Sequence, residues 1–389
     1  MTSMRRERNR EGVTARQDKT TACIPPDPPN IVTDRLNLAL SSSGPSFILS
    51  LCPNALYMIQ APILFAAPDQ EIGTLGYPTD DSRATRCHTT AVDGTCPKCS
   101  GAQLRNIQVN GNCAGAPPAG GEANIEMGGP NSKQLIEYVH SYDPRSWSCL
   151  HIAEGGFLCN NIVVQNNDIG HCGSDAFQQW ADGISVSCRS AIVRNNVVSL
   201  VTGTTDGGIV LFGSPGTMVN TLLGGINMVD VIPWGGNYVG TVVQNNTIVG
   251  GLATDSDSAI QKDCQNVDDV IIKIGIAIGP QTWFGRLFLA VLNNMLTGAF
   301  GYGIVVTSAR NFNVQGNKLV GNISFIGSRG PNCSASNPTP ASTAFVVGLA
   351  NVTASTLQSD FQPVQDAKGL TCVQPPPGGN FWPYGGNPS

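Results

Sequence analysis

The sequence predicts an all-β chain folded as one long parallel β-helix, a solenoid in which strands stack coil upon coil. Three observations predict it. A short motif built around Asn recurs six times, a second strand segment keeps rough step with it, and charge is scarce throughout. Only 13% of the 389 residues are charged, 22 Lys+Arg against 27 Asp+Glu, where about 25% is usual. Hydrophobic residues make up 41%, enough to bury a sizeable core, so the chain is not disordered in bulk. Glu, Lys, Arg and Leu are too few for a coiled coil. The net charge of −5 argues against nucleic acid as the main partner.

The motif reads apolar, any residue, Val, two residues, Asn, one residue, apolar. Ile162-Val-Val-Gln-Asn-Asn167-Asp-Ile169 is one copy, and the fixed Asn recurs at 112, 167, 196, 246, 294 and 317. Alternate strand residues point inward, the Asn takes a corner, and an apolar residue turns in again. Asn tolerates left-handed backbone angles and bonds the neighbouring chain, so stacked copies form a ladder. The second column reads Ala181-Asp-Gly-Ile-Ser-Val186, Asp206-Gly-Gly-Ile-Val-Leu211, Gly225-Ile-Asn-Met-Val-Asp230, Ile272-Lys-Ile-Gly-Ile-Ala-Ile278 and Gly303-Ile-Val-Val306. Self-similarity of this kind marks a solenoid.

The remaining elements follow in chain order. Residues 1–29 read as a disordered leader or a faulty gene start; the first 20 carry six Lys/Arg and no apolar run. Asn30–Ser41, with Ile31, Leu36, Leu38 and Leu40, suits a helical N-terminal cap. The apolar stretch Phe47–Ala67 is broken by Pro53, Asn54, Gln60 and Pro62, so strands are expected there and a membrane span is not. No clear strand is legible between Arg83 and Cys99. The β-helix with its cap is placed at 30–328. Residues 329–389 gain Pro and read as an irregular C-terminal segment packed on the helix flank.

Thirteen cysteines suit an extracellular, secreted protein. Cys96-Pro-Lys-Cys99 resembles half a zinc site, but no second pair follows, so a surface disulfide or two loop cysteines is the better reading. Asn-x-Ser/Thr sequons at Asn245, Asn322, Asn332 and Asn351 fit a glycoprotein.

The segments Ser141-Tyr-Asp-Pro-Arg-Ser-Trp-Ser-Cys149, Trp180-Ala-Asp-Gly-Ile-Ser185, Thr205-Asp-Gly-Gly-Ile-Val-Leu-Phe212 and Ile272-Lys-Ile-Gly-Ile-Ala-Ile-Gly279 resemble the pectin-lyase-like superfamily of right-handed parallel β-helix proteins. Within it the chain is similar to a secreted fungal (basidiomycete-type) group of β-helix-repeat proteins. That resemblance implies the fold. It leaves activity open, because the superfamily holds lyases, hydrolases, epimerases, esterases and non-catalytic adhesins. The polygalacturonase-type signature is absent as a set.

Acids inside the repeats stand out in so uncharged a chain. Asp182 and Asp206 each open a second-column strand and lie 24 residues apart, a spacing that suggests stacked carboxylates on adjacent coils. Glu154 is then expected on the coil below. Neighbouring carboxylates raise one pKa and set an acid beside a base. The bland alternative is Asp-Gly capping a coil corner. Arg145 and Lys273 are candidates to hold an acidic sugar or to act as base, with an Asp–Arg turn and a snorkelling Lys as their structural alternatives. Asp143, His151 and His171 complete the polar set, and Trp147, Trp180, Trp234 and Trp283 are candidates to stack on sugar rings.

No resident cofactor is expected. Calcium is weighed at Asp255, Asp257, Asp263, Asp268 and Asp269 against a solvated acidic loop. The expected partner of a monomer is a polysaccharide or oligosaccharide, with no nucleic acid and no membrane. The expected activity is glycosidic bond cleavage, hydrolase ahead of lyase. Its rival is a non-catalytic, wall-associated binding protein.

Overall fold

Alternating apolar and polar residues on short strands bury one edge of each strand and leave the other outward, and here the buried edges meet in a common lumen. A computed structural model describes residues 22–364 except 88–89, 112–122, 145–147, 171, 174–181, 199–200, 203–207, 213–217, 224, 230–236, 251–271, 280–288 and 326–342. Its first coil is the apolar stretch noted above, folded as Ile48–Leu51, Leu56–Tyr57 and Ile63–Leu64. Each of these pairs in parallel with its counterpart one coil on: Ile48 with Glu71, Leu56 with Thr85, Ile63 with Val92. Repetition of this step generates three strand faces, and the chain is a parallel β-helix. Among the described residues no helix is long and apolar enough to cross a membrane.

The lumen is packed by like residues in register. On the third face Met127, Ile152, Val186, Leu211, Met228, Ile278, Val306 and Val347 form one continuous stack, each at most 3% exposed. Burial of such side chains is worth about 1.5–3 kcal/mol apiece. The same register recurs on this face over coils of unequal length, since the strand pairings hold while the number of residues between them varies.

The Asn motif divides its labour between two residues. The first Asn of each pair takes the left-handed corner: Asn166, Asn195, Asn245 and Asn293 have φ of 55–58°. The second is buried and makes the ladder. Asn294 Oδ1 accepts from the Asn246 backbone N–H at 3.0 Å and from its Nδ2 at 2.9 Å, while Asn294 Nδ2 donates to Val243 O. Asn317 repeats the pattern on Asn294, and Asn196 on Asn167. Asn112 lies outside the described residues.

Three sequence expectations are corrected, and the expected helical cap is present with slightly shifted bounds. The strands Ala84–Cys87 and Val92–Asp93 occupy the stretch between Arg83 and Cys99 where none was legible. The ladder also passes the expected end at 328, since Ile304 pairs with Phe345 and Val346 with Gln362. Residues 22–29 are not a free leader: Cys23 is bonded to Cys52, and Ile24 N donates to Ser50 O. The cap is the helix Val32–Ser43, which buries Val32, Leu36 and Leu40 over the first coil. Leu38 and Ile31 stay exposed at 66% and 42%. Asn37 ties this helix to the first coil through Pro62 O and Leu64 N.

Disulfides join Cys23–Cys52, Cys96–Cys99, Cys149–Cys172 and Cys159–Cys188. The Cys96–Cys99 bond consumes both thiols of the half-zinc motif. Cys159–Cys188 clamps successive coils beside the Asn160–Arg189 bridge, across a sequence separation of 29. Replacing both with Ala is expected to cost about 3 kcal/mol in urea unfolding. A loss under about 1 kcal/mol would mean the stacked coils hold that corner without the clamp.

Candidate functional site

Side chains alternate across a strand, so the residue one place before each member of the third-face stack points out of the lumen. That outward row runs Asp93, Glu126, His151, Ser185 and then Val210. The first four are polar and successive coils are about 4.8 Å apart, which gathers the polar chemistry of this face into a few coils.

His151 is the centre of the row. Its Nδ1 lies 2.7 Å from Glu126 Oε2, one coil below, while Glu126 Oε1 accepts from the Ala123 backbone N–H at 2.7 Å. Glu126 therefore fixes the ring with Nδ1 as donor. Ser185 is the register partner of His151 on the coil above, and its Oγ donates to Asp182 Oδ2 at 2.5 Å. Ser148 Oγ lies 3.4 Å from Ser185 Oγ. Ser148 and Ser185 are fully buried, Asp182 is 3% exposed and Glu126 4%. The His151 side chain retains 16% exposure.

Burial sets the electrostatics. Loss of solvent pushes the Asp182 carboxyl up to about 7, against the lesser pull of the Ser185 hydroxyl and of His151. Loss of solvent alone would depress His151, yet the charge and hydrogen bond of Glu126 outweigh it, helped by Glu154 and Asp182. The imidazolium is therefore held above its ordinary range. A carboxyl poised to hold a proton near neutrality is thus within electrostatic reach of an imidazole held above its ordinary range. Such a pair supplies a proton donor and, once the imidazole is deprotonated, an acceptor.

Asp182 and His151 lie close enough for each to act on the other's charge. Glu154 is not the coil below Asp182, because Ile152 pairs with Val186 and the register partner of Asp182 is Ser148. Glu154 instead follows the strand Ser148–Ala153, in a turn whose Gly155 has φ +52° and approaches Gly129 so closely that a Cβ would fall 1.9 Å from its carbonyl carbon. Ile184 pairs with Ile209, a step one residue longer than the Asp182–Asp206 spacing. Asp206 itself lies outside the described residues, as do Arg145, His171, Trp147, Trp180, Trp234, Trp283 and the acidic stretch 255–269.

Lys273 sits on the strand Ile272–Ile278, three strands along the face from Asp182–Val186, roughly 14 Å away along the axis. Asp143 takes a left-handed corner, φ 48°, after the strand His140–Tyr142. Glu126, Ser148 and Ser185 were missed in the sequence. The signal for Glu126 was available, as an acid between Ile125 and Met127 at an outward strand position. Among the described residues no group of three or more His, Cys, Asp or Glu is placed to hold a metal ion.

Fold and register together define a parallel β-helix protein with a buried acid–imidazole cluster on one face. No family model and no curated protein matches the chain. Solved structures do. The catalytic domain of a GH87 alpha-1,3-glucanase in complex with nigerose is 12% identical, with a TM-score of 0.41, over 82% of this chain; the chain spans 63% of that domain's length. An alginate lyase from Paenibacillus sp. str. FPU-7 is 13% identical over 75% of this chain and 95% of its own, with a TM-score of 0.37. PfbA, a surface adhesin of Streptococcus pneumoniae, is 10% identical over 77% and 88%, with a TM-score of 0.41. At such identities and scores these likenesses say nothing of reaction or substrate.

Proposed function

We propose that the protein is a secreted β-helix enzyme, fungal by the resemblance of its sequence, that cleaves a glycosidic bond of a cell-wall polysaccharide. One observation carries the reading: a carboxyl raised to about 7 at Asp182, linked through Ser185 to the coil position opposite a Glu126-oriented His151. Asp182 gives its proton to the leaving glycosidic oxygen, and the fraction of His151 that is deprotonated at Nε2, its Nδ1–H held by Glu126, takes the proton of the attacking water. In the hydrolytic reading we assign the base role to His151, the described partner of the cluster, while Asp206 lies outside the described residues. Arg145 and Asp206, with Trp147 and Trp180, are proposed to orient the sugar. Four disulfides and the exposed sequon residues Asn245, Asn322 and Asn351 support export.

The near-complete burial of Asp182 and Ser185 favours a second reading, in which the cluster only specifies the coil and the protein binds the wall without cleaving it. A panel of acidic and neutral wall polysaccharides separates these, with reducing ends and ultraviolet absorbance read together for wild type, Asp182→Asn and His151→Ala. Reducing ends without absorbance, lost in both variants, are expected. Absorbance lost with His151→Ala would replace hydrolysis by elimination at the same site. Retained binding with no product from any substrate would leave the binding protein.

A further inference from the structure

Arg86 is the largest fully buried side chain of the described residues, at 0% exposure. It lies on Ala84–Cys87, in register between Tyr57 and Val109, both also at 0%. It therefore points into the lumen, in the second coil beneath the N-terminal cap. Its Nε, Nη1 and Nη2 have no hydrogen-bond partner among the described residues. Burial lowers this guanidinium only to about 10, so it remains a cation at neutral pH.

An unpaired charge in an apolar interior is among the most expensive things a fold can contain. The neighbours do not neutralise it. Tyr57 is the group whose charge acts on Arg86, yet burial raises the Tyr57 phenol and keeps it neutral. The Tyr57 hydroxyl is also committed elsewhere, donating to Ile24 O at 2.5 Å and accepting from Cys52 N at 2.8 Å. Ala84, Ile107 and Val109, also fully buried, offer no side-chain acceptor.

We propose that Arg86 is the anchor of an internal binding site for a small monovalent inorganic anion of the chloride type, enclosed within the first coils of the solenoid. The chemistry selects the ligand class. A halide carries one charge against one guanidinium and accepts several N–H donors without directional demand. A phosphate or uronate would bring further oxygens that these apolar walls leave unsatisfied. The site is separate from the Glu126–His151–Asp182 cluster. Its occupancy is coupled to folding, because the anion binds the folded chain alone.

Thermal unfolding of the full chain in sodium gluconate, chloride and bromide at equal ionic strength tests this. Wild type is expected to melt roughly 2 °C or more higher in the halides, with saturation as halide replaces gluconate. Arg86→Met is expected to lose the difference while melting in gluconate no lower than wild type, since an apolar side chain of similar reach removes the buried charge. Equal melting of wild type in all three salts, or a halide effect that survives Arg86→Met, would overturn the site. Should Arg86→Met fail to fold, bromide-soaked wild-type crystals decide. An anomalous peak within hydrogen-bond reach of the guanidinium supports the proposal, and no peak there overturns it.

Discussion

Asp182→Asn is expected to lower turnover about 10²- to 10⁴-fold and, at pH 8, to make the protein more stable. Both effects have one origin. The Asp182 carboxyl is raised to about 7 in the folded chain from its ordinary 3.8, so the folded state holds a proton that the unfolded state has already released. Between about pH 4 and pH 7 the folded state therefore binds more protons, and stability falls as pH rises. Above about 7 both states are ionised at this position and the penalty is complete, on the order of a few kcal/mol.

Asn removes the ionisation and keeps an oxygen to accept from Ser185 Oγ, so the penalty disappears while the short bond survives. His151 tilts the curve the same way. Its pKa is raised by Glu126, so the stability it contributes is present below its ordinary value and is lost as pH rises through the folded value. Glu126→Gln withdraws that support, leaves burial to depress the imidazole, and moves the acidic limb of the activity profile to lower pH. Urea unfolding from pH 4 to 8 beside a reducing-end assay reads both. A wild-type stability flat across that range, or an Asp182→Asn variant of full activity, would remove Asp182 from the reaction.

The sequence carried the ladder and the lumen because both repeat. The Asn-x-apolar corner recurs with one chemistry, and the inward residues alternate with the strand. What it did not carry was the length of each coil. Successive third-face registers step from Ile152 to Val186, then from Ile184 to Ile209, then from Ile209 to Ile226, and no two of these steps are equal. A spacing of 24 between two acids therefore does not establish a shared register, and in a strand a difference of one residue exchanges inside for outside.

The strand Ala84–Cys87 escaped for a different reason. Its central inward residue is Arg86, which reads as an outward position by every rule of patterning. The site was half legible: Asp182 and His151 stood out as rare ionisable residues in an uncharged chain. Glu126 was overlooked because it sits inside a short apolar run, and Ser148 and Ser185 because serine is common in this sequence. Only register assigns those three to one face.

Asn294→Ala is expected to be the most damaging alanine substitution in the ladder, at about 3–5 kcal/mol. Asn294 is fully buried and acts in both directions along the stack. Its Oδ1 satisfies the backbone N–H and the side-chain amide of Asn246, and its Nδ2 donates to Val243 O at 3.2 Å and to Asn317 Oδ1 at 2.8 Å. Truncation removes the partner of two donors on Asn246 and of Val243 O where water does not reach, while Asn317 Oδ1 keeps only the residue 294 backbone N–H, and each lost partner costs about 1–3 kcal/mol before relaxation. Asn294→Asp is expected to be worse. A carboxylate retains the acceptor side but sets negative oxygen against Val243 O and Asn317 Oδ1, without a donor for either. By contrast Asn293→Gly, at the exposed corner with φ 55°, is expected to change stability by less than about 1 kcal/mol, because glycine takes the left-handed angle freely. Urea midpoints for the three variants test the division of labour within the Asn-Asn pair. Equal losses at 293 and 294 would mean that the corner conformation, and not the buried amide chain, holds successive coils in register.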